Sequence, residues 1–247
     1  EQAFVSYDLG NGSALTMGRY ESMLGLEAKE PTGLYQYSTA YEGLSFLPQY
    51  GQGVRYTGQS GDISYGVSLQ DESFDNGGSN LGGADDNDGS YSIEAAVSLT
   101  SGNFTYSLGG AFEDADEDGD NSIINAHVVY VSGAWTFGAE YNHADIESDT
   151  TFADGTTLST NETEVDSWLV MANYAYSDCC SVTGRVSGID FKDADNDLGD
   201  ALKYTLAHNY AVTDNLAIIT EISYVDGEIE DIDTEALTGA VEVLFTF

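Results

Sequence analysis

The chain has 247 residues, with 43 acidic against 6 basic side chains and a net charge of −37. That balance excludes nucleic acid as a partner, because a phosphate backbone demands basic patches, and it excludes adhesion to anionic lipid through basic residues. No apolar run approaches the ~18 residues of a membrane-spanning helix, so any crossing of a membrane must be made by strands.

In chain order, Ala3, Val5, Tyr7 and Leu9 alternate with more polar neighbours before a Gly10-Asn11-Gly12 hairpin turn, and residues 14–20 return. The stretch 21–49 breaks this rhythm. It holds both prolines, Pro31 and Pro48, with several tyrosines, and connections of that length usually carry function. Alternation resumes at 52–59 and 62–71, where Ile63, Tyr65, Val67 and Leu69 oppose Ser64, Gly66, Ser68 and Gln70. It continues at 91–100, 104–113, 122–131, 135–142, 164–176, 181–190, 201–211, 216–225 and 235–247. In the last of these, Leu237, Gly239, Val241, Val243, Phe245 and Phe247 form one nearly continuous apolar face.

The connections fall into two classes. Those at 10–12, 60–61, 101–102, 132–133, 177–180 and 213–215 are short. Those at 21–49, 72–88, 114–121, 145–163, 191–200 and 226–233 are long, acidic and glycine-rich. Short turns at one end and long loops at the other, between segments of about ten alternating residues, are the layout of a transmembrane barrel. The expected fold is therefore all-β: a single-domain (1–247), antiparallel up-and-down β-barrel crossing a bacterial outer membrane many times. Thirteen strands are visible, while single-chain bacterial barrels are even-numbered, so the expected complete barrel has 14 or 16, with the addition at the N-terminal side. Tyr7, Tyr65, Tyr91, Tyr141 and Tyr224, near strand ends, would form interface belts.

The block from Phe4 to Tyr56 resembles the β-barrel porin family named after the outer-membrane porin L. The residues that carry it are the hairpin FVSYDLGNGSALTMGRYESMLGLE, Pro31, the tyrosine-rich YQYSTAY (35–41), the Pro48 region and GVRYTG (53–58), with Gly18-Arg19-Tyr20 and Gly53-Val54-Arg55 at the family's marked places. The resemblance implies a porin and raises the functional weight of Arg19 and Arg55. Likeness to other outer-membrane proteins implies that Val243, Phe245 and Phe247 are read by the barrel-insertion machinery.

If the bulky apolar partners face lipid, Arg55, Glu94, Glu113, Glu140, Arg185, Glu221 and Glu242 point into the lumen, where ionisable groups stay hydrated and set ion selectivity. The stretch 21–49, folded inward, would narrow the pore with Tyr35, Tyr37, Tyr41 and Glu42. Asp114, Asp116, Asp118 and Asp120 share the spacing that opens an EF-hand calcium loop, but the twelfth position is Asn125 rather than a bidentate glutamate; calcium is an expectation there and no other cofactor is implied. Cys179 and Cys180 read as turn residues. His127, His143 and His208 stand apart from any nucleophile or metal motif, so no enzyme is expected.

The expected function is passive diffusion of small hydrophilic solutes and ions, with a preference for cations. The expected partners are outer-membrane lipid and lipopolysaccharide, the solutes, and two further copies in a homotrimer. The alternatives are a structural or surface-layer barrel whose acidic loops are bridged by calcium, and a soluble, secreted acidic β-protein.

Overall fold

The computed structural model describes residues 2–41, 44, 46–71, 73–74, 91–114, 120–147, 150–151, 157–158, 163–193, 196–229 and 232–246. Its strands are β1 (Ala3–Gly10), β2 (Ser13–Glu21), β3 (Tyr50–Ser60), β4 (Ile63–Gln70), β5 (Tyr91–Ser101), β6 (Phe104–Asp114), β7 (Asp120–Ser132) and β8 (Trp135–Ile146). Two short strands, β9 (Thr150–Thr151) and β10 (Thr157–Leu158), pair with each other. Then come β11 (Thr163–Ser177), β12 (Cys180–Asp193), β13 (Asn196–Thr213), β14 (Leu216–Ile229) and β15 (Ile232–Phe245). Apart from β9 and β10, all belong to one 13-stranded sheet in which each strand lies beside its neighbours in the sequence. The thirteen strands are those the alternation marks out.

The tight turns follow from local chemistry. Between β1 and β2, Asn11 and Gly12 take φ of 54° and 76°, the paired left-handed conformation of a type I′ turn, whose twist matches that of the flanking strands. Asparagine and glycine are the residues that adopt it at least cost.

Alternation gives the sheet two unlike faces, and their polarity is the reverse of a soluble protein's. Along β4, Val67 and Leu69 are 46% and 57% exposed, while Ser68 and Gln70 between them are buried. Along β5, Ile93 and Val97 are exposed, and Ser92 and Glu94 are buried. Leaving so many large apolar side chains uncovered in water would cost about 1.5–3 kcal/mol each. A surface of this kind is stable against hydrocarbon, and the ladder of paired strands meets the backbone's hydrogen-bonding needs there.

At the C-terminal side the strands outrun the expected boundaries. The acidic stretches 191–200 and 226–233 are largely strand: Asp190 pairs with Asp200, Phe191 with Gly199 and Lys192 with Asp197, and further on Asp226 pairs with Glu235 and Glu228 with Asp233. β13 runs 18 residues, well beyond the ~9–11 that cross a bilayer. Acidic side chains there are solvated while the main-chain ladder continues, so composition marks where the membrane ends rather than where the strand ends.

Contacts divide the chain into two compact units. One comprises Glu1–Gly25, Gly43–Ala126 and Asn142–Val165; the other comprises Leu26–Glu42, His127–Tyr141 and Asp166–Phe247. Each holds its own part of the stretch that follows β2.

Candidate functional site

Apart from one 3₁₀ turn at Pro31–Gly33, the described part of the stretch between β2 and β3 has no regular structure. Its main-chain N–H groups therefore lack a ladder, yet buried ones must find acceptors. Carboxylates on the polar face of the sheet supply them.

In the first unit, Glu94 on β5 accepts from the Ser22 hydroxyl at 2.6 Å and the Met23 N–H at 2.6 Å, and Ser22 Oγ accepts from the Leu24 N–H. Two strand glycines make room for these residues. A Cβ on Gly66 would come within 2.4 Å of Met23 Sδ, and one on Gly109 within 2.5 Å of Leu24 Cδ2. Glu113 on β6 does the same for the chain after β4, accepting from the N–H groups of Ser73 and Phe74 and from the Asn121 side chain. Arg55 on β3 donates to the Glu21 carbonyl at 2.8 Å and lies 4.4 Å over the Tyr20 ring. Arg19 follows the alternation of Leu15 and Met17, on the opposite face from Arg55, and sits over the Tyr50 ring.

In the second unit, Glu140 on β8 accepts from the Leu26 N–H, and Leu26 packs where Gly138 leaves space. Glu27 forms an ion pair with Arg185 of β12, whose side chain is wholly buried, and also accepts from Gln36 and from the Ala40 N–H. The same guanidinium donates to the carbonyls of Ser38 and Thr39 and to Thr205 Oγ1. Glu221 on β14 accepts the N–H groups of Tyr37 at 2.8 Å and Ser38 at 3.0 Å, together with the Ser38 hydroxyl. Thr183 donates to the Tyr35 carbonyl and Lys203 to that of Thr39. Hydrogen bonds to an ionised group are roughly twice as strong as neutral ones, so few residues fix a long irregular segment.

The segment from Tyr35 to Ser38 is itself alternating. Gln36 and Ser38 are buried against the strands; Tyr35 and Tyr37, 40% and 45% exposed, project away from them. Tyr41 is buried. Glu42 lies outside the described residues, as do Asp116, Asp118 and Phe247. Asp114 ends β6 and Asp120 begins β7, while Val243 and Phe245 are exposed on the apolar face of β15. Glu242 shares the polar face of β15 and is half-buried. His143 lies 3.9 Å from Asp145, and His208 is hydrogen-bonded to Tyr176.

Sequence reasoning passes over Glu27, Ser38 and the seats at Gly66, Gly109 and Gly138. The glycines carry a readable signal, since each falls at a polar-face position of an otherwise regular strand.

A many-stranded antiparallel sheet that is apolar on one face and charged on the other, holding an inserted segment on the charged face, belongs to an outer-membrane porin channel. The strands cross the bilayer many times. The chain belongs to the family described as "Putative beta-barrel porin-2, OmpL-like", whose model matches residues 1–247. No curated protein matches it. Among solved structures it is similar to the outer membrane channel DcaP of Acinetobacter baumannii, at 14% identity and TM-score 0.69, covering 94% of this chain and 71% of that one. It is also similar to the anion-selective porin from Comamonas acidovorans (15%, TM-score 0.65, 97% and 73%). A third is the trimer form of OmpT, an outer membrane protein of Vibrio cholerae (15%, TM-score 0.62, 94% and 74%).

Proposed function

We propose that the chain passes small hydrophilic solutes and ions passively, prefers cations, and carries out no enzymatic step. The reading rests on one observation: strand carboxylates hold the inserted segment by its main chain, leaving Tyr35 and Tyr37 on its free side. A segment fixed in this way narrows the channel without closing it, and its two exposed rings line the narrowed part. Of the proposed lining residues, Glu94, Glu140, Arg185 and Glu221 act through the segment they hold, and Arg55 through its main-chain bond at Glu21.

The net charge of −37 supports the cation preference. Arg185, moreover, is engaged by Glu27 rather than facing solute. The apolar face meets outer-membrane lipid and lipopolysaccharide, and the trimer form of the Vibrio cholerae protein supports a homotrimer here.

Planar-bilayer recording of the purified chain under a salt gradient tests the reading. Stepwise ohmic currents whose reversal potential favours cations are expected, grouped in threes for a trimer. Stable insertion without current would overturn the channel, and a reversal potential of the opposite sign would overturn the selectivity.

A further inference from the structure

The turn between β11 and β12 sets two cysteines side by side. Both are free thiols, Cys179 exposed and Cys180 half-buried, and their Sγ atoms lie 3.3 Å apart. Ser177 Oγ is 3.5 Å from Cys179 Sγ. The neighbouring Tyr176 hydroxyl and His208 Nε2 meet each other at 2.6 Å, so the soft donors of this turn are the two sulfurs.

Covalent geometry disfavours joining them directly. Adjacent Cα atoms stand ~3.8 Å apart across a trans peptide, short of the ~4.4–6.8 Å usual across a disulfide. An S–S bond would draw the sulfurs from 3.3 Å to ~2.05 Å around a small ring containing the peptide bond. One atom inserted between them enlarges that ring and takes the sulfurs where they are. Two bonds of ~2.3 Å, the length of a zinc–thiolate bond, span 3.3 Å at an angle of about 90°. A tetrahedral zinc ion would need them ~3.8 Å apart and two further ligands to complete a structural site. A pyramidal trivalent centre holds its bonds close to a right angle, and two thiolates suffice besides its own substituent.

At the end of this turn, hydrogen bonds from Ser177 first and Cys179 next draw the Cys180 thiol below its usual value. That favours the thiolate, which is the nucleophile.

We propose that Cys179 and Cys180 form a vicinal dithiol site for trivalent arsenicals. Capture is a condensation. With phenylarsine oxide as the probe, two As–S bonds form while the arsenic-bound oxygen leaves as water with the two thiol protons. Arsenic stays trivalent, so neither oxidant nor reductant takes part.

The test uses the full chain, reduced and folded in detergent micelles, titrated with phenylarsine oxide, with free thiols counted by Ellman's reagent and the adduct by intact mass. One probe per chain is expected to remove both thiols together. A dithiol such as dimercaptopropanol is expected to strip it, and a monothiol at equal excess is not. Cys179→Ser, at the exposed turn, and Cys180→Ser, a near-isosteric change at the half-buried first position of β12, are each expected to lose the monothiol-resistant adduct while keeping their β-sheet circular dichroism. An adduct that persists in either single variant overturns the proposal, as do two thiols that remain titratable at saturating probe. The readout needs no current, so it is independent of the channel reading.

Discussion

The two units solve one problem with different chemistry. In the first, among the described residues, the segment after β2 is gripped by the Glu94 carboxylate at the Met23 N–H and the Ser22 hydroxyl, with methionine and leucine side chains filling glycine gaps. In the second, the segment is gathered around a buried guanidinium: Arg185 engages Glu27 and two carbonyls, and Glu221 takes two successive N–H groups and a hydroxyl. A carboxylate served by uncharged donors is a modest anchor. A buried ion pair that fastens main chain as well cannot lose one partner without leaving the other's charge uncompensated, so the second unit is the more sensitive of the two to a single substitution.

Arg185→Met breaks that contrast hardest. It leaves Glu27 buried without its cation, and removing one member of such a pair costs about 3–5 kcal/mol. A lower guanidinium midpoint and a raised, noisier single-channel current are the expected results; an unchanged midpoint would show that the pair contributes little. Glu221→Gln comes next, because hydrogen bonds to charged groups contribute about 1.5–3 kcal/mol and the new amide offers a donor where donors already converge. Current fluctuations should grow with a smaller loss of stability. Glu94→Gln should cost about 1.5 kcal/mol, at the low end of that range, since its bonds to Ser22 and Met23 are part-buried whereas those of Glu221 to Ser38 are buried. An effect as large as that of Arg185→Met would erase the distinction between the units. Smallest in stability is Tyr35→Ala with Tyr37→Ala, expected within about 0.5 kcal/mol for exposed side chains. Conductance should nevertheless rise, and an unaltered conductance would place the rings away from the narrow part.

The sequence carries the strands well because a period of two, read against an apolar medium, leaves the pattern intact from end to end. Ser68, Glu94 and Arg185 fall on the charged face by counting alone. The extent of β13 to β15 was hidden: Asp, Asn and Gly usually mark loops, and here they are strand residues standing in water. The anchoring was hidden for another reason. Glu94, Glu140 and Glu221 are legible as charged-face residues, but what they grip is main chain, and an N–H group leaves no mark in a sequence. Glu27 sits in a stretch without period, so nothing sets it apart from other acidic residues until Arg185 is beside it.

The carboxylate grips also bear on the order of assembly. Neighbouring strands pair as local hairpins, whereas Met23 reaches Glu94 across 71 residues, Leu26 reaches Glu140 across 114, and Ser38 reaches Glu221 across 183. Contacts between such distant positions pay their loop-closure entropy before they give anything back, and they form slowly for that reason. The wall can be raised hairpin by hairpin, but the segment cannot settle until β14, the second-to-last strand, has brought Glu221 into place. If the segment narrows the channel as proposed, a newly inserted chain passes through an interval of higher conductance, and the narrowing is among the last events of its maturation.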